Sequence, residues 1–140
     1  MKIYLAAPIH QEADATANTI LLHQLRSRGF DVWSPQEAGI ASEEAKQTGE
    51  PLDTVRARYM RKDLKAMEEC EVCVAYLGRE RSFSEGMLWE MGWYVGKNRT
   101  VILYNPYHNK VTLMAQFTVT KTVDTLKQLL KALEDVQLSQ

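Results

Sequence analysis

Apolar positions along the chain fall into two alternating kinds of segment. Short, largely apolar runs occupy 2–7, Phe30–Trp33, Val72–Leu77 and Thr100–Tyr104. Pro8, Ser34-Pro35, Gly78 and Asn105-Pro106 close them, so each reads as a buried strand. Between these runs apolar residues recur at helical spacing. Ala13, Ala17, Ile20, Leu21 and Leu25 mark a first helix, stopped by Gly29. Pro51 suits the first turn of a second helix running to about Glu69. Ser84 opens a third, which ends near Gly96. Residues 36–50 are polar and without a period, which predicts a long loop. Further on, Val111–Met114 reads as one helical turn and Phe117–Val119 as a short fifth strand. Val123, Leu126, Leu130 and Leu133 place a stripe on a last helix, with a frayed tail from Gln137.

Strands alternating with helices imply βαβ units: an α/β chain with a five-stranded, mostly parallel sheet and helices on both faces. Such sheets bind ligands beyond the carboxyl ends of their strands, which selects the loops 7–13, 34–50 and 77–85. No repeat, linker or low-complexity stretch divides the chain, so residues 1–140 are expected to form a single domain.

Composition narrows the function. Of 140 residues, 45% are hydrophobic and 25% charged, the balance of a globular chain. Seventeen Lys and Arg against 18 Asp and Glu give a net charge of −1, which speaks against a nucleic acid polymer as partner. No apolar run approaches the ~20 residues of a membrane span, and Met1–Ile9 is too short an apolar stretch for a signal peptide. Cys70 and Cys73, three residues apart, cannot staple distant segments, so a cytoplasmic location is expected. Their C-x-x-C sits where a helix hands over to a strand, the reverse of a redox motif, and reads as core packing. His10, His23 and His108 show no ligand spacing, so neither metal nor cofactor is expected. His10 does lie in a ligand-side loop and is a candidate substrate contact. There is no G-x-G-x-x-G and no Walker loop. The first strand ends Ala6-Ala7-Pro8, without the acidic cluster of a phospho-acceptor domain.

Two carboxylates break the apolar pattern. Gly86, Met87, Leu88, Trp89, Met91, Gly92, Trp93 and Tyr94 make one helix apolar nearly all round, so it is expected to be buried, and Glu90 sits in its middle. A buried carboxylate is costly without a partner, and burial raises its pKa. Either an Arg or a backbone cap holds Glu90, or it marks a functional site. Ser84 is a good N-cap for this helix, as is Ser82 paired with Glu85, and a helix N-terminus after a parallel strand favours anions. Gly86 lies on the face of Glu90 and leaves room beside it. Ser84 to Glu90 spans roughly 9 Å of helix axis, the scale of a sugar carrying a 5′ substituent. On the preceding helix Asp63 falls inside the stripe of Tyr59, Met60, Leu64 and Met67, where the alternative is a salt bridge at the stripe's edge. Arg58, Arg61, Lys62 and Lys65 form a separate basic stripe, read as a solvated face. Two such carboxylates suit cleavage of a glycosidic bond. One attacks the anomeric carbon and the other manages the proton of the leaving group, with no metal required.

Tyr4-Leu5-Ala6-Ala7-Pro8, Lys62-Asp63-Leu64 and Ser84-Glu85-Gly86-Met87-Leu88-Trp89-Glu90-Met91-Gly92, in this order, resemble the nucleoside 2-deoxyribosyltransferase family. Val111-Thr112-Leu113-Met114 resembles its late segment. The resemblance implies a flavodoxin-like (Rossmann-like) fold. It matches Glu90 to the nucleophile, Tyr4 to the tyrosine that orients it, and Asp63 to the aspartate beside the leaving base. It implies a homodimer or larger homo-oligomer in which a neighbouring subunit completes each site through the segment of Thr112. Ala7 stands in the first loop where Gly is usual. Members acting on free nucleosides usually carry Asp six residues before the nucleophile and tend to carry Asn at the late position, whereas this chain has Ser84 and Thr112. The related nucleoside 5′-monophosphate N-glycosidases carry hydroxyl residues at both. An Asp would repel a phosphate dianion, while a Ser at a helix N-terminus donates to it. The expected substrate is therefore a nucleoside 5′-monophosphate, with a deoxynucleoside base exchanger and a non-catalytic nucleotide sensor as alternatives. Gln36 and Glu37 in loop 34–50 are candidates to contact the base.

Overall fold

The computed structural model describes residues 1–9, 11–79 and 83–140, so His10 and Ser82 lie outside the described residues. Five strands, β1 (Lys2–Ala6), β2 (Asp31–Trp33), β3 (Val72–Tyr76), β4 (Thr100–Tyr104) and β5 (Lys121–Val123), form one sheet in the order β2-β1-β3-β4-β5. Every pairing is parallel. This is the flavodoxin-like strand order, whose switch point lies between β1 and β3. Among the described residues six α-helices connect or flank the strands: α1 (Glu12–Arg26), α2 (Ala41–Thr48), α3 (Leu52–Glu69), α4 (Glu85–Gly96), α5 (Leu113–Thr118) and α6 (Leu126–Leu138).

Strand alternation sends successive residues to opposite faces. Ile3, Leu5, Val72, Val74 and Ile102 enter one core with Leu21, Leu22, Leu25, Leu129 and Leu133 of α1 and α6. Tyr4, Ala6, Cys73, Ala75, Val101 and Leu103 enter the other, with Ala66 and Met67 of α3 and Met87, Met91 and Tyr94 of α4. Both cysteines are free and buried, as core packing requires.

Four expectations change. Residues 36–50 are not a loop: a 3-10 turn (Pro35–Ala38) and α2 fill most of the span. Ala45 is the one buried residue of α2, so no apolar period announces the helix. The fifth strand is Lys121–Val123, because Phe117 belongs to α5 and stands 78% exposed. Val123 accordingly lies on that strand and not on the last helix. The buried stripe of α1 is Asp14, Asn18, Leu21, Leu22 and Leu25, while Ile20 faces out. Asn18 is drawn inward by hydrogen bonds to Pro8 O at 2.8 Å and to Gln36 Oε1. Finally, α4 is buried on one side only: Met87, Met91 and Tyr94 face the sheet, while Leu88 and Trp89 are 39% and 58% exposed. A helix laid on a sheet can press only one face against it.

Candidate active site

Three elements meet at one cavity of about 420 Å³. Tyr4 comes from β1, Met60, Asp63, Leu64 and Met67 from α3, and Gly86, Trp89 and Glu90 from α4. The walls are mostly hydrocarbon and aromatic ring, and the polar groups are the two carboxyls and the Tyr4 phenol. Asp63 and Glu90 come from separate helices, and packing both helices on the same sheet face is what brings them together.

Each group sits where local structure puts it. Tyr4 is fully buried mid-strand, in register with Trp33 on one side and Cys73 on the other. The Trp33 ring stacks on it at 5.3 Å and 21°. Ser84 caps α4 by accepting the Met87 N–H at 3.1 Å, and its own hydroxyl proton is a separate donor. A Cβ added at Gly86 would lie 3.9 Å from Glu90 Oε1 and 4.0 Å from Ser84 Oγ. The bare glycine therefore keeps the space between cap and carboxyl open, although a methyl group would not clash there.

Electrostatics single out the same trio. Burial pushes Glu90 up to about 7. Hydrogen bonding to Tyr4 pulls the other way, and the Asp63 charge adds to the rise. Burial pushes Asp63 up to about 6. The Tyr4 phenol is pushed far above its ordinary value, first by burial and then by the Glu90 charge. The phenol and the Glu90 carboxyl sense each other, yet Tyr4 Oη and Glu90 Oε2 are both buried without a hydrogen bond of ordinary geometry. Among the described residues no cation forms an ion pair with Glu90 or Asp63. Among the described residues the alternative of an Arg-paired Glu90 thus finds no support, nor does that of Asp63 as an edge salt bridge.

The remaining sequence candidates separate. Ala7 follows β1 and packs toward the α1 and α6 core, away from the cavity wall. Thr112 caps α5, accepting the Ala115 N–H at 3.2 Å, and is exposed. Gln36 hydrogen-bonds Ala15 O and Thr19 Oγ1, and Glu37 binds Arg26 through two hydrogen bonds, so α1 holds both. In the basic stripe, Arg58 pairs with Glu44 and Glu50 and ties α2 to α3. Sequence reasoning passed over Trp89 as a cavity wall. The available signal was a large aromatic residue beside Glu90 on a helix with only one face to bury.

Other clefts are comparable in size, and two of them lie at the carboxyl ends of strands. One, of about 360 Å³, lies beside Trp33 and Glu37. The other, of about 420 Å³, lies beside Asp14, Tyr76 and Tyr107 on the opposite sheet face. Neither joins two carboxyls of raised proton affinity; the Arg26 hydrogen bond holds Glu37 below the usual carboxylate range.

Known proteins share this architecture. The 2-deoxyribosyltransferase of Bacillus psychrosaccharolyticus superposes with a TM-score of 0.77 at 20% identity, over 92% of this chain and 90% of that one. A conserved protein from Enterococcus faecalis V583 gives 0.70 at 18% identity, over 96% and 98%. The CMP N-glycosidase of Clostridium botulinum gives 0.55 at 18% identity, over 96% and 98%. At these identities the likeness is one of fold. No curated protein matches the sequence. Among the described residues no helix is long and apolar enough to cross a membrane. The family model for nucleoside 2-deoxyribosyltransferase matches residues 3–132, nearly the whole length, and the chain belongs to that family.

Proposed function

We propose that this chain is a single-domain cytoplasmic enzyme that breaks the N-glycosidic bond of a nucleoside 5′-monophosphate, with 2′-deoxyribose as the favoured sugar. The observation that carries the reading is Glu90: half-buried in the wall of an apolar cavity with its Oε2 out of reach of water, raised in proton affinity, free of a cationic partner among the described residues, and facing the same space as Asp63. The ionised Glu90 attacks the anomeric carbon and a glycosyl ester forms as the bond to the base nitrogen breaks. The electron pair of that bond leaves with the base, and Asp63 supplies the proton that neutralises it. Water then cleaves the ester, returning Glu90 and releasing the sugar 5-phosphate. Tyr4 directs the Glu90 carboxyl. Because the two acids feel each other, they titrate as a pair; the reactive form holds a single proton on Asp63, the minor arrangement in the free protein, where Glu90 is the stronger proton holder.

The 5′-phosphate is assigned to the start of α4, where Ser84 and the backbone N–H groups near Gly86 donate and the helix dipole favours an anion. Thr112 of a neighbouring copy, and His10 of the first loop, complete the proposed contacts, while Ala7 packs away from them. Leu113, Met114 and Phe117, 72–78% exposed beside Thr112, support a homo-oligomer, because water-facing apolar groups of that size favour burial against another surface.

A second reading is exchange of bases between unphosphorylated deoxynucleosides, favoured by the fold likeness to the Bacillus transferase. One panel separates them. Nucleosides and their monophosphates are each incubated with the protein, with and without an acceptor base, and the released base is measured by chromatography. Faster release from monophosphates without acceptor is the expected result. Release only from nucleosides, and only with acceptor present, would replace this reading by the second.

A further inference from the structure

Tyr94 is fully buried, lies outside the cavity wall, and has no part in the chemistry above. It stands on α4 four residues, about one turn, beyond Glu90. Its Oη lies 3.1 Å from Met67 O and 3.1 Å from Cys70 O, in the last turn of α3 and at its cap. Met67 is itself one turn beyond Asp63. A phenol has one proton, so the two carbonyls share it. The Tyr94 ring also meets the Tyr4 ring at 6.1 Å and 44°. One side chain therefore touches Tyr4 and the helix of Asp63 while belonging to the helix of Glu90.

We infer that Tyr94 is a positioning residue: its hydroxyl pins the end of α3 to α4 one turn from both carboxyls, its ring seats Tyr4, and together these contacts set the spacing of Asp63 from Glu90. The inference rests on the reading of those two acids as the reacting pair. The last carbonyls of a helix have no donor within the helix, so a buried hydroxyl is a strong claim on them. Arg99 reinforces the clamp from the outer edge. Its Nη1 donates to Met67 O at 2.9 Å, Glu68 O at 3.1 Å and Cys70 O at 3.3 Å, with the guanidinium over the Trp93 ring. Tyr94 is the inner, water-free half of the clamp. Among the described residues, the titratable groups that feel Glu90 are Tyr4 from β1, Cys73 from β3, Asp63 from α3 and, from its own helix, Tyr94 itself. In such poorly screened surroundings their influence varies with distance, so loosening α3 against α4 alters how the pair holds its proton.

Tyr94→Phe removes the hydroxyl and keeps the ring. Carboxyl titrations of the ligand-free protein by carbon-13 NMR, together with base-release kinetics, test the idea. The Asp63 and Glu90 midpoints are expected to move by about half a pH unit or more. With them kcat falls about tenfold while KM stays near its original value. A variant with unmoved midpoints and unchanged kcat, altered only in melting temperature, would show that Tyr94 merely packs and would overturn the inference. Should Tyr94→Phe not fold, Arg99→Gln loosens the same carbonyls from outside. Smaller shifts of the same sign are then expected, and unmoved midpoints overturn the inference equally. A wild-type chain that releases no base sinks the proposed reaction alone, because the titrations still decide the role of Tyr94.

Discussion

The two faces of the sheet are built from the same strands but hold different chemistry. On the α1 and α6 side the strands present Ile3, Leu5, Val72, Val74 and Ile102, and the helices answer with leucines. That core is branched aliphatic, with aromatic residues at its rim where a second cleft opens beside Tyr76. On the α3 and α4 side the same strands present Tyr4, Ala6, Cys73 and Ala75, and the helices answer with Met67, Met87, Met91 and Tyr94. Small strand residues there make space, and tyrosine and methionine line it without filling it. A cavity with two acids opens at its edge. One face is packed by aliphatic side chains, and the other holds the proposed site.

Substitutions can break that contrast. Apart from changes at Glu90 itself, the largest effect is expected from Asp63→Asn, which keeps the shape and removes the proton donor. Base release should fall by about 10²–10⁴ in kcat with little change in melting temperature, as steady-state kinetics and calorimetry would show. A variant that keeps full activity would remove Asp63 from the chemistry. On the opposite face, Leu133→Ala empties a fully buried position and should cost about 2–5 kcal/mol in denaturant unfolding, with kcat unchanged while the protein stays folded. Loss of kcat without loss of stability there would erase the distinction between the faces.

The pH dependence of stability sharpens it. Glu90 binds its proton more tightly folded, at about 7, than at its ordinary 4.5. A raised acid pKa means that the folded state holds more protons between those values. The contribution from Glu90 is therefore full below about pH 4.5 and lost as pH rises through 7. Stability should decline across that window by on the order of 2 kcal/mol, and Glu90→Gln should flatten the decline. An equally steep decline in the variant would place the titration elsewhere. The smallest effect is on specificity. Ser84→Asp sets a negative charge at the start of α4 and should shift the ratio of monophosphate to nucleoside rates toward the nucleoside by about tenfold. An unchanged ratio would count against phosphate binding at that helix end.

The parts of the fold and site legible in the sequence are those in which one side chain's chemistry conflicts with its surroundings or a period is strong. β4 and the span of α3 follow from a largely apolar run and from Pro51. Glu90 was visible because a charge stood within an apolar helix, and Asp63 because it interrupted a stripe. Hidden parts lack such conflict. α2 buries Ala45 alone, and β5 turns only Val123 inward, so neither carries a period. Gln36 and Glu37 stand in a loop selected by topology, but hydrogen-bond partners on α1, 21 and 11 residues earlier, decide where they point. Tyr94 read as one more apolar position, because its role lies in the carbonyls that it meets on another helix.

Glu90→Ala in the base-release assay tests the core of this reading most directly. With the fold verified by circular dichroism, release from a deoxynucleoside 5′-monophosphate should fall about a thousandfold or more. Release within tenfold of the unaltered protein would show that the sugar is never bonded to this side chain.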